Sequence, residues 1–106
     1  MKKIKGQATL CKGHDTWYKK DIEGYEFFWN DISLIVHRAR QIRDYDKDWM
    51  VTEPRTGLDV GHRCYGKTKQ ESIDSTIHWL DSLGLDRVKE TIELEISKNR
   101  EIILND

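Results

Sequence analysis

The chain has 106 residues, of which 37% are hydrophobic and 35% charged, and its formal net charge is −1. This composition is typical of one folded domain and excludes an intrinsically disordered chain. No apolar run reaches the roughly 18–20 residues that a membrane-spanning helix needs, and the N-terminus has no signal-peptide core, so we expect a cytoplasmic protein.

The first predicted element is a β-hairpin. Two β-prone segments, residues 4–11 and 16–22, flank the short turn KGHD, in which Gly13 can supply a positive φ. The next β-prone stretch covers residues 25–39. In its second part, Ile32, Leu34 and Val36 fall on one face of the strand, and Ser33, Ile35 and His37 fall on the other.

Two further strands are predicted after the polar loop RDYDKD. WMVTE at 49–53 is a short strand, and PRTG at 54–57 is a turn. The segment LDVGHRCYG at 58–66 is predicted as a strand whose alternate residues share a face. The residues on that face are Leu58, Val60, His62 and Cys64.

Helical patterns begin at residue 68. Thr68 and Glu71 form a capping box, which marks a helix start. An apolar stripe at helical spacing follows, formed by Ile73, Ile77, Leu80 and Leu83. Gly84 ends this helix, and Asp86 can cap a second one. The buried stripe of the second helix is predicted to be Val88, Ile92 and Ile96.

These elements predict an α+β fold in a single domain over residues 1–106. About four antiparallel strands form one sheet within residues 1–67, and two helices within 68–106 pack on one face of it. The tail EIILND either extends the second helix or adds an edge strand.

Both cysteines of the chain have a histidine nearby. Cys11 and His14 lie in CKGH, and His62 and Cys64 lie in HRC. Two Cys and two His are a standard tetrahedral set for structural zinc, and a cytoplasmic protein keeps its thiols reduced. The alternatives are two buried thiols with unrelated histidines, or a redox pair. His37 and His78 are predicted to be exposed and not to bind metal.

The sequence contains no GxSxG, P-loop, GxGxxG or HExxH motif, and we expect a protein that is not an enzyme. The continuous run YEFFW either leaves at least one large aromatic exposed as an interface anchor or belongs to a sheet covered on both faces.

The basic stretch at residues 37–43 contains three arginines, Arg38, Arg40 and Arg43. These side chains can contact phosphates or pair with the acidic helices.

Net charge differs between the two parts of the chain. Residues 1–67 carry 13 Lys/Arg against 10 Asp/Glu, and residues 68–106 carry 5 against 9. The acidic part weighs against a general nucleic-acid binder. It offers instead a surface for a basic partner, although solvated helices are often charged for no other reason.

The stretch WMVTEPRTGLDVGHRCYGKTKQESIDSTIHWL at 49–80 resembles small accessory proteins encoded by phages and mobile elements of Gram-positive bacteria. In those proteins the helix start often reads threonine-lysine-x-glutamate-alanine, and Ser72 replaces the alanine here. Some are anti-CRISPR inhibitors, and one type II-A group contains zinc and binds the effector nuclease. The resemblance implies a protein-binding role in the cytoplasm of a host bacterial cell.

Three functional hypotheses follow. The first is a non-enzymatic protein-binding module, in which zinc holds residues 11–14 against 58–64 and the interface uses exposed aromatics and the acidic helices 68–98. Its partner is a host protein such as a CRISPR effector nuclease, whose nucleic-acid loading or activation it blocks. The second is a small nucleic-acid-binding protein that uses the three arginines and nearby aromatics. The third is a metalloenzyme or redox protein with an open zinc position or a reactive Cys64.

Overall fold

The chain folds into an antiparallel sheet followed by two helices, which confirms the α+β prediction. The structure, a computed structural model, describes residues 1–11 and 17–98. The strands within these residues are β1 (Lys3–Cys11), β2 (Trp17–Trp29), β3 (Ile32–Arg38), β4 (Trp49–Glu53) and β5 (Leu58–Asp59). The helices are α1 (Lys69–Leu83) and α2 (Leu85–Lys98), and two short 3-10 helices cover Ala39–Gln41 and His62–Cys64.

The described strands pair in chain order, β1-β2-β3-β4-β5, and each pair is antiparallel. The two strands of the predicted hairpin pair, with Cys11 opposite Trp17, and the predicted turn KGHD lies outside the described residues. About four strands were predicted and the described residues form five. A turn divides the β-prone stretch 25–39: its first part continues the predicted strand 16–22 as β2, and its second part is β3. Asn30 occupies this turn with a φ of 55°, a conformation that asparagine tolerates better than most residues.

The sheet curls into a half-barrel. The backbone N–H of Thr9 in β1 donates to the carbonyl of Gly57, in the turn between β4 and β5, at 2.7 Å. The sheet face away from the helices carries a small apolar cluster of Ala8, Ile22 and Ile35. The opposite face packs on the helices through a larger cluster that includes Phe27, Trp29, Leu34, Val36, Val51, Ile73, Leu80, Val88 and Ile92.

The predicted capping box starts α1. The Thr68 hydroxyl accepts the backbone N–H of Glu71 at 3.1 Å. The Glu71 carboxylate reaches back to the backbone N–H of Lys67 at 2.9 Å, so two donors at the helix start are satisfied. Ile73 and Leu80 are buried, which confirms the orientation predicted for the apolar stripe.

Helix α2 follows directly after Gly84, which ends α1 as predicted. Asp86 lies in the first turn of α2 and does not precede it. Val88 and Ile92 are buried, whereas Ile96 is 36% exposed because the core cluster along α2 ends at Ile92. The tail 99–106 lies outside the described residues. Neither of these two helices is both long and apolar enough to cross a membrane.

The aromatic run in β2 is divided between the two faces of the sheet. Phe27 and Trp29 are buried against the helices, while Phe28 points the other way and is 59% exposed. The indole N–H of Trp29 donates to the carboxylate of Asp81 in α1 at 2.7 Å. The hypothesis that at least one large aromatic of this run stays exposed is therefore confirmed.

Candidate functional site

The segment that carries His62 and Cys64 is not the predicted strand. Strand β5 ends at Asp59, and His62–Cys64 forms a 3-10 helix. The backbone turns because the Asp59 carboxylate accepts the N–H of Gly61 at 2.8 Å, and the Gly61 carbonyl accepts the N–H of Cys64 at 3.0 Å. The prediction that His62 and Cys64 share one strand face is therefore wrong.

The thiol of Cys64 is fully buried next to α1. Its sulfur lies 4.0 Å from the carbonyl oxygen of Val60, and its backbone carbonyl accepts the hydroxyl of Ser72 at 2.5 Å. Burial raises the pKa of the Cys64 thiol, which favours its protonated form. Since a reactive cysteine needs an accessible thiolate of low pKa, this environment does not favour a redox or nucleophilic role.

The predicted zinc ligands other than Cys64 fall outside what the structure describes. His14 is not among the described residues, and neither are the side chains of Cys11 and His62. Among the side chains that are described, no group of three or more His, Cys, Asp or Glu is close enough together to hold a metal ion. The zinc site formed by Cys11, His14, His62 and Cys64 stays a prediction.

His37, predicted to be exposed, is completely buried. Its Nε2 lies 2.7 Å from the hydroxyl of Thr52, and its Nδ1 lies 3.1 Å from the carbonyl of Arg38. Burial lowers the pKa of His37, and the Arg38 carbonyl and the Asp59 carboxylate oppose this only in part. The prediction is wrong because the curled sheet covers a face of β3 that a flat sheet leaves open. His78 on α1 is exposed, as predicted.

A polar cluster lies beside this buried face. The Tyr65 hydroxyl donates to the Asp59 carboxylate at 3.0 Å, and the Arg43 guanidinium donates both to the Tyr65 oxygen and to Asp46, the latter at 3.3 Å. Burial raises the pKa of Tyr65 to about 12. Arg43, one of the three arginines considered for phosphate contacts, is thus half-buried and already bonded to Tyr65 and Asp46.

The most distinctive surface feature is a row in which two aromatic side chains lie between two cationic ones. It consists of Arg38, Trp49, Tyr25 and Lys69, and is called the basic–aromatic row below. The Arg38 guanidinium carbon lies 4.4 Å from the centroid of the Trp49 ring, and the Lys69 ammonium lies 4.0 Å from the centroid of the Tyr25 ring. The two ring centroids are 6.5 Å apart at an interplanar angle of 42°.

Four separate elements bring the row together. Arg38 and Trp49 are direct cross-strand partners in β3 and β4, so their side chains share a face. Tyr25 in β2 lies opposite Val36, and therefore points to that face as well. Lys69 is the first residue of α1, and the Thr68 cap fixes the position at which that helix starts. Arg38 is exposed, and the other three members are half-buried.

Sequence reasoning found this row only in part. It identified Arg38 and the aromatic run that contains Tyr25, but not Trp49 or Lys69. The cross-strand register that joins Trp49 to Arg38 is not visible in a single sequence. The two aromatic rings and the planar guanidinium can stack against flat rings, while the ammonium and guanidinium groups can bind anionic groups at the same time.

Comparison with known proteins adds no assignment, since no family model, no curated protein and no solved structure matches this chain.

Proposed function

We propose that this protein is a non-enzymatic binding module whose ligand is single-stranded nucleic acid, held on the basic–aromatic row. The observation that carries this proposal is the continuous contact from Arg38 through Trp49 and Tyr25 to Lys69. Aromatic rings next to cations on one surface suit a ligand that presents flat bases and phosphates in alternation. The proposal favours the second of the three functional hypotheses.

Each member of the row has a role in such a complex. Trp49 and Tyr25 offer rings on which successive bases stack, and base–aromatic stacking tolerates any sequence because every base has a π-face. The planar guanidinium of Arg38 can stack on a base or bind a phosphate through two N–H groups. Lys69 contributes a point charge for a neighbouring phosphate.

The fold places the far end of α1 and helix α2 away from the row. Lys69 begins α1 and Asp81 lies near its other end, about 18 Å away along the helix axis at 1.5 Å per residue. Helix α2 is tied to the far ends of the strands, since Lys89 pairs with Asp31 at 3.5 Å and Glu93 with Arg55 at 3.4 Å. The net charge of −1 therefore does not describe the charge around the row.

Binding of short fluorescent DNA and RNA oligonucleotides, measured by anisotropy across salt concentrations, tests this function. We expect log K to fall linearly with log salt, with a slope of about −0.7 for each phosphate contacted. Arg38→Gln should make the slope shallower, and Trp49→Ala should weaken binding about 5- to 150-fold, the equivalent of about 1–3 kcal/mol of stacking.

Matched controls separate the row from general surface effects. Arg87→Gln removes an exposed cation from α2, and Phe28→Ala removes an exposed aromatic from the other face of β2. Neither should change binding. The proposal fails if the wild type does not bind at low salt, or if the control variants lose as much affinity as the row variants. Circular dichroism of each variant verifies that it is folded.

The second candidate is the protein-binding function that the resemblance implies, an inhibitor of a host protein such as a CRISPR effector nuclease. One observation favours it: on α2, Leu94 is 53% exposed and is flanked by the exposed carboxylates Glu90 and Glu93. An apolar contact bordered by acidic groups suits the basic nucleic-acid channel of a nuclease, where an acidic surface competes electrostatically.

Pull-down of purified type II-A effector nuclease, with and without guide RNA, tests this second candidate. Binding that is lost in Leu94→Glu but kept in Arg38→Gln would assign the interface to α2. Absence of binding in both nuclease states would remove this candidate and leave the nucleic-acid proposal untouched.

A further inference from the structure

An apolar cavity of about 180 Å³ lies between the sheet and the two helices. Its apolar wall includes Leu34, Val60, Leu80, Leu83, Val88 and Ile92, which come from β3, the segment after β5 and both helices. For comparison, an engineered apolar cavity of about 150 Å³ stays free of water and binds benzene. The cavity therefore has room for one phenyl-sized group.

The charged side chains at this cavity are all of one sign. Among the described residues that line it, three are carboxylates, Glu53, Asp59 and Glu95, and none is lysine, arginine or histidine. A small molecule with a carboxylate or phosphate group is disfavoured here by like-charge repulsion. A molecule with a cationic group next to its apolar part matches both the wall and the charges.

Glu53 is the buried member of the three, with a side chain that is only 4% exposed. Its two oxygens accept the backbone N–H groups of Arg55 at 2.7 Å and Thr56 at 3.0 Å, which fixes the carboxylate at the end of β4. Each carboxylate oxygen can accept more than one hydrogen bond. The carboxylate is thus oriented in advance and keeps acceptor capacity for an N–H group of a ligand.

We propose that this cavity binds a small organic ammonium ion. The phenyl-sized apolar part lies against Leu80, Val88 and Ile92, and the ammonium group donates to Glu53. A charge-assisted hydrogen bond of this kind is stronger than a neutral one, so the cationic head distinguishes the ligand from neutral molecules of the same shape. The site lies apart from the basic–aromatic row and does not depend on the nucleic-acid proposal.

Titrations followed by ¹H–¹⁵N correlation spectra test the site with three probes of similar shape and different charge. The probes are phenethylammonium, 2-phenylethanol and phenylacetate. We expect phenethylammonium to shift the amide resonances of Val60, Val88 and Ile92 in a saturable way, with a Kd about tenfold lower than that of 2-phenylethanol. Phenylacetate should not bind.

Variants separate the cavity from the surface. Glu53→Gln should remove the preference for the ammonium over the alcohol, and Val60→Phe, which fills the cavity, should abolish binding of both. If Glu53→Gln does not fold, Glu95→Gln takes its place as the variant that reduces the negative charge at the cavity. Glu90→Gln on the exposed face of α2 is the matched control and should bind like the wild type, as should Arg38→Gln.

Two results would overturn the proposal. One is equal affinity for 2-phenylethanol and phenethylammonium, which would leave an apolar cavity without selection for a cation. The other is the absence of saturable shifts for all three probes in the millimolar range.

Discussion

The imidazole of His37 and the hydroxyl of Thr52 lie 2.7 Å apart in adjacent strands, and both side chains are completely buried. The pair joins β3 to β4 on the sheet face away from the helices. A histidine in this position is kept neutral by burial, which lowers its pKa. Protonation in the folded state would place an imidazolium charge in a position that has no contact with solvent.

This burial predicts a stability that depends on pH. The folded pKa of His37 lies below its ordinary value of about 6.5, so the unfolded chain binds a proton that the folded chain does not. The contribution of His37 to the free energy of unfolding is therefore complete above about pH 6.5, and it declines as the pH falls from there towards the folded pKa. The steepest slope that one proton allows is about 1.4 kcal/mol per pH unit.

Urea unfolding between pH 7.5 and 5 measures this slope. His37→Gln should be less stable than the wild type at pH 7.5 but should lose less stability on acidification. His78→Gln, which removes an exposed histidine, is the control for the loss of one histidine. Parallel pH profiles for the wild type and His37→Gln would contradict the prediction.

The contact between β1 and the β4–β5 turn predicts a specific sensitivity at Gly57. This residue has a φ of 75°, and a Cβ atom there would lie 2.8 Å from the backbone nitrogen of Thr9 and closer still to its hydroxyl. Gly84 has a similar φ of 87°, but a Cβ atom there would meet nothing within 4 Å. Gly57→Ala should therefore lower the free energy of unfolding by about 1–3 kcal/mol more than Gly84→Ala does.

Chemical denaturation of the two alanine variants checks this difference, because both share the cost of a positive φ and differ in the contact. Equal losses of stability would show that β1 moves away from the turn without penalty, and that the half-barrel is not held closed by the bond between Thr9 and Gly57.

The capping box of α1 predicts the effect of Thr68→Ala. Removal of the hydroxyl leaves the backbone N–H of Glu71 without its capping acceptor and should lower the free energy of unfolding by about 1 kcal/mol. Thr91→Ala is the matched control, since its hydroxyl bonds the carbonyl of Arg87 within α2 and does not cap a helix. Thr91→Ala should change the free energy of unfolding by no more than about 0.5 kcal/mol. A similar loss in both variants would contradict the capping role.

The predicted zinc site has a direct test in metal content. If Cys11, His14, His62 and Cys64 form one tetrahedral site, protein purified without a histidine tag or chelator should hold about one zinc per chain. Cys11→Ser is the informative variant, since Cys64→Ser also places a hydroxyl in a buried position and lowers the Tm for that reason alone. Loss of zinc in both variants is the expected result. A metal-free wild type would leave Cys64 as a buried thiol.

Local patterns predicted much of this fold correctly. The capping box at Thr68, the stripe containing Ile73 and Leu80, and the stop at Gly84 depend on residues within a few positions of one another. The alternation of Leu34 and Ile35 in β3 and the strand at 49–53 depend on neighbours in the same way. Such signals are complete in the sequence because the interacting groups are close along the chain.

The errors have two causes. Alternation extended the predicted strand to residue 66, but a local bond from the N–H of Gly61 to the Asp59 carboxylate ends β5 earlier. The solvent exposure predicted for His37 is wrong because the curvature of the whole sheet buries it. Curvature is a property of several strands together and has no signature in any one of them.

The sequence by itself thus determined the fold class, the order of the elements and the faces that the helices bury, since periodicity and capping are local. Only the tertiary structure decided which charged and aromatic groups meet. Arg38 and Trp49 are 11 positions apart, and Lys69 is 44 positions from Tyr25; their contacts follow from strand register and helix placement. The basic–aromatic row and the cavity beside Glu53 exist because of packing between elements, which no single segment encodes.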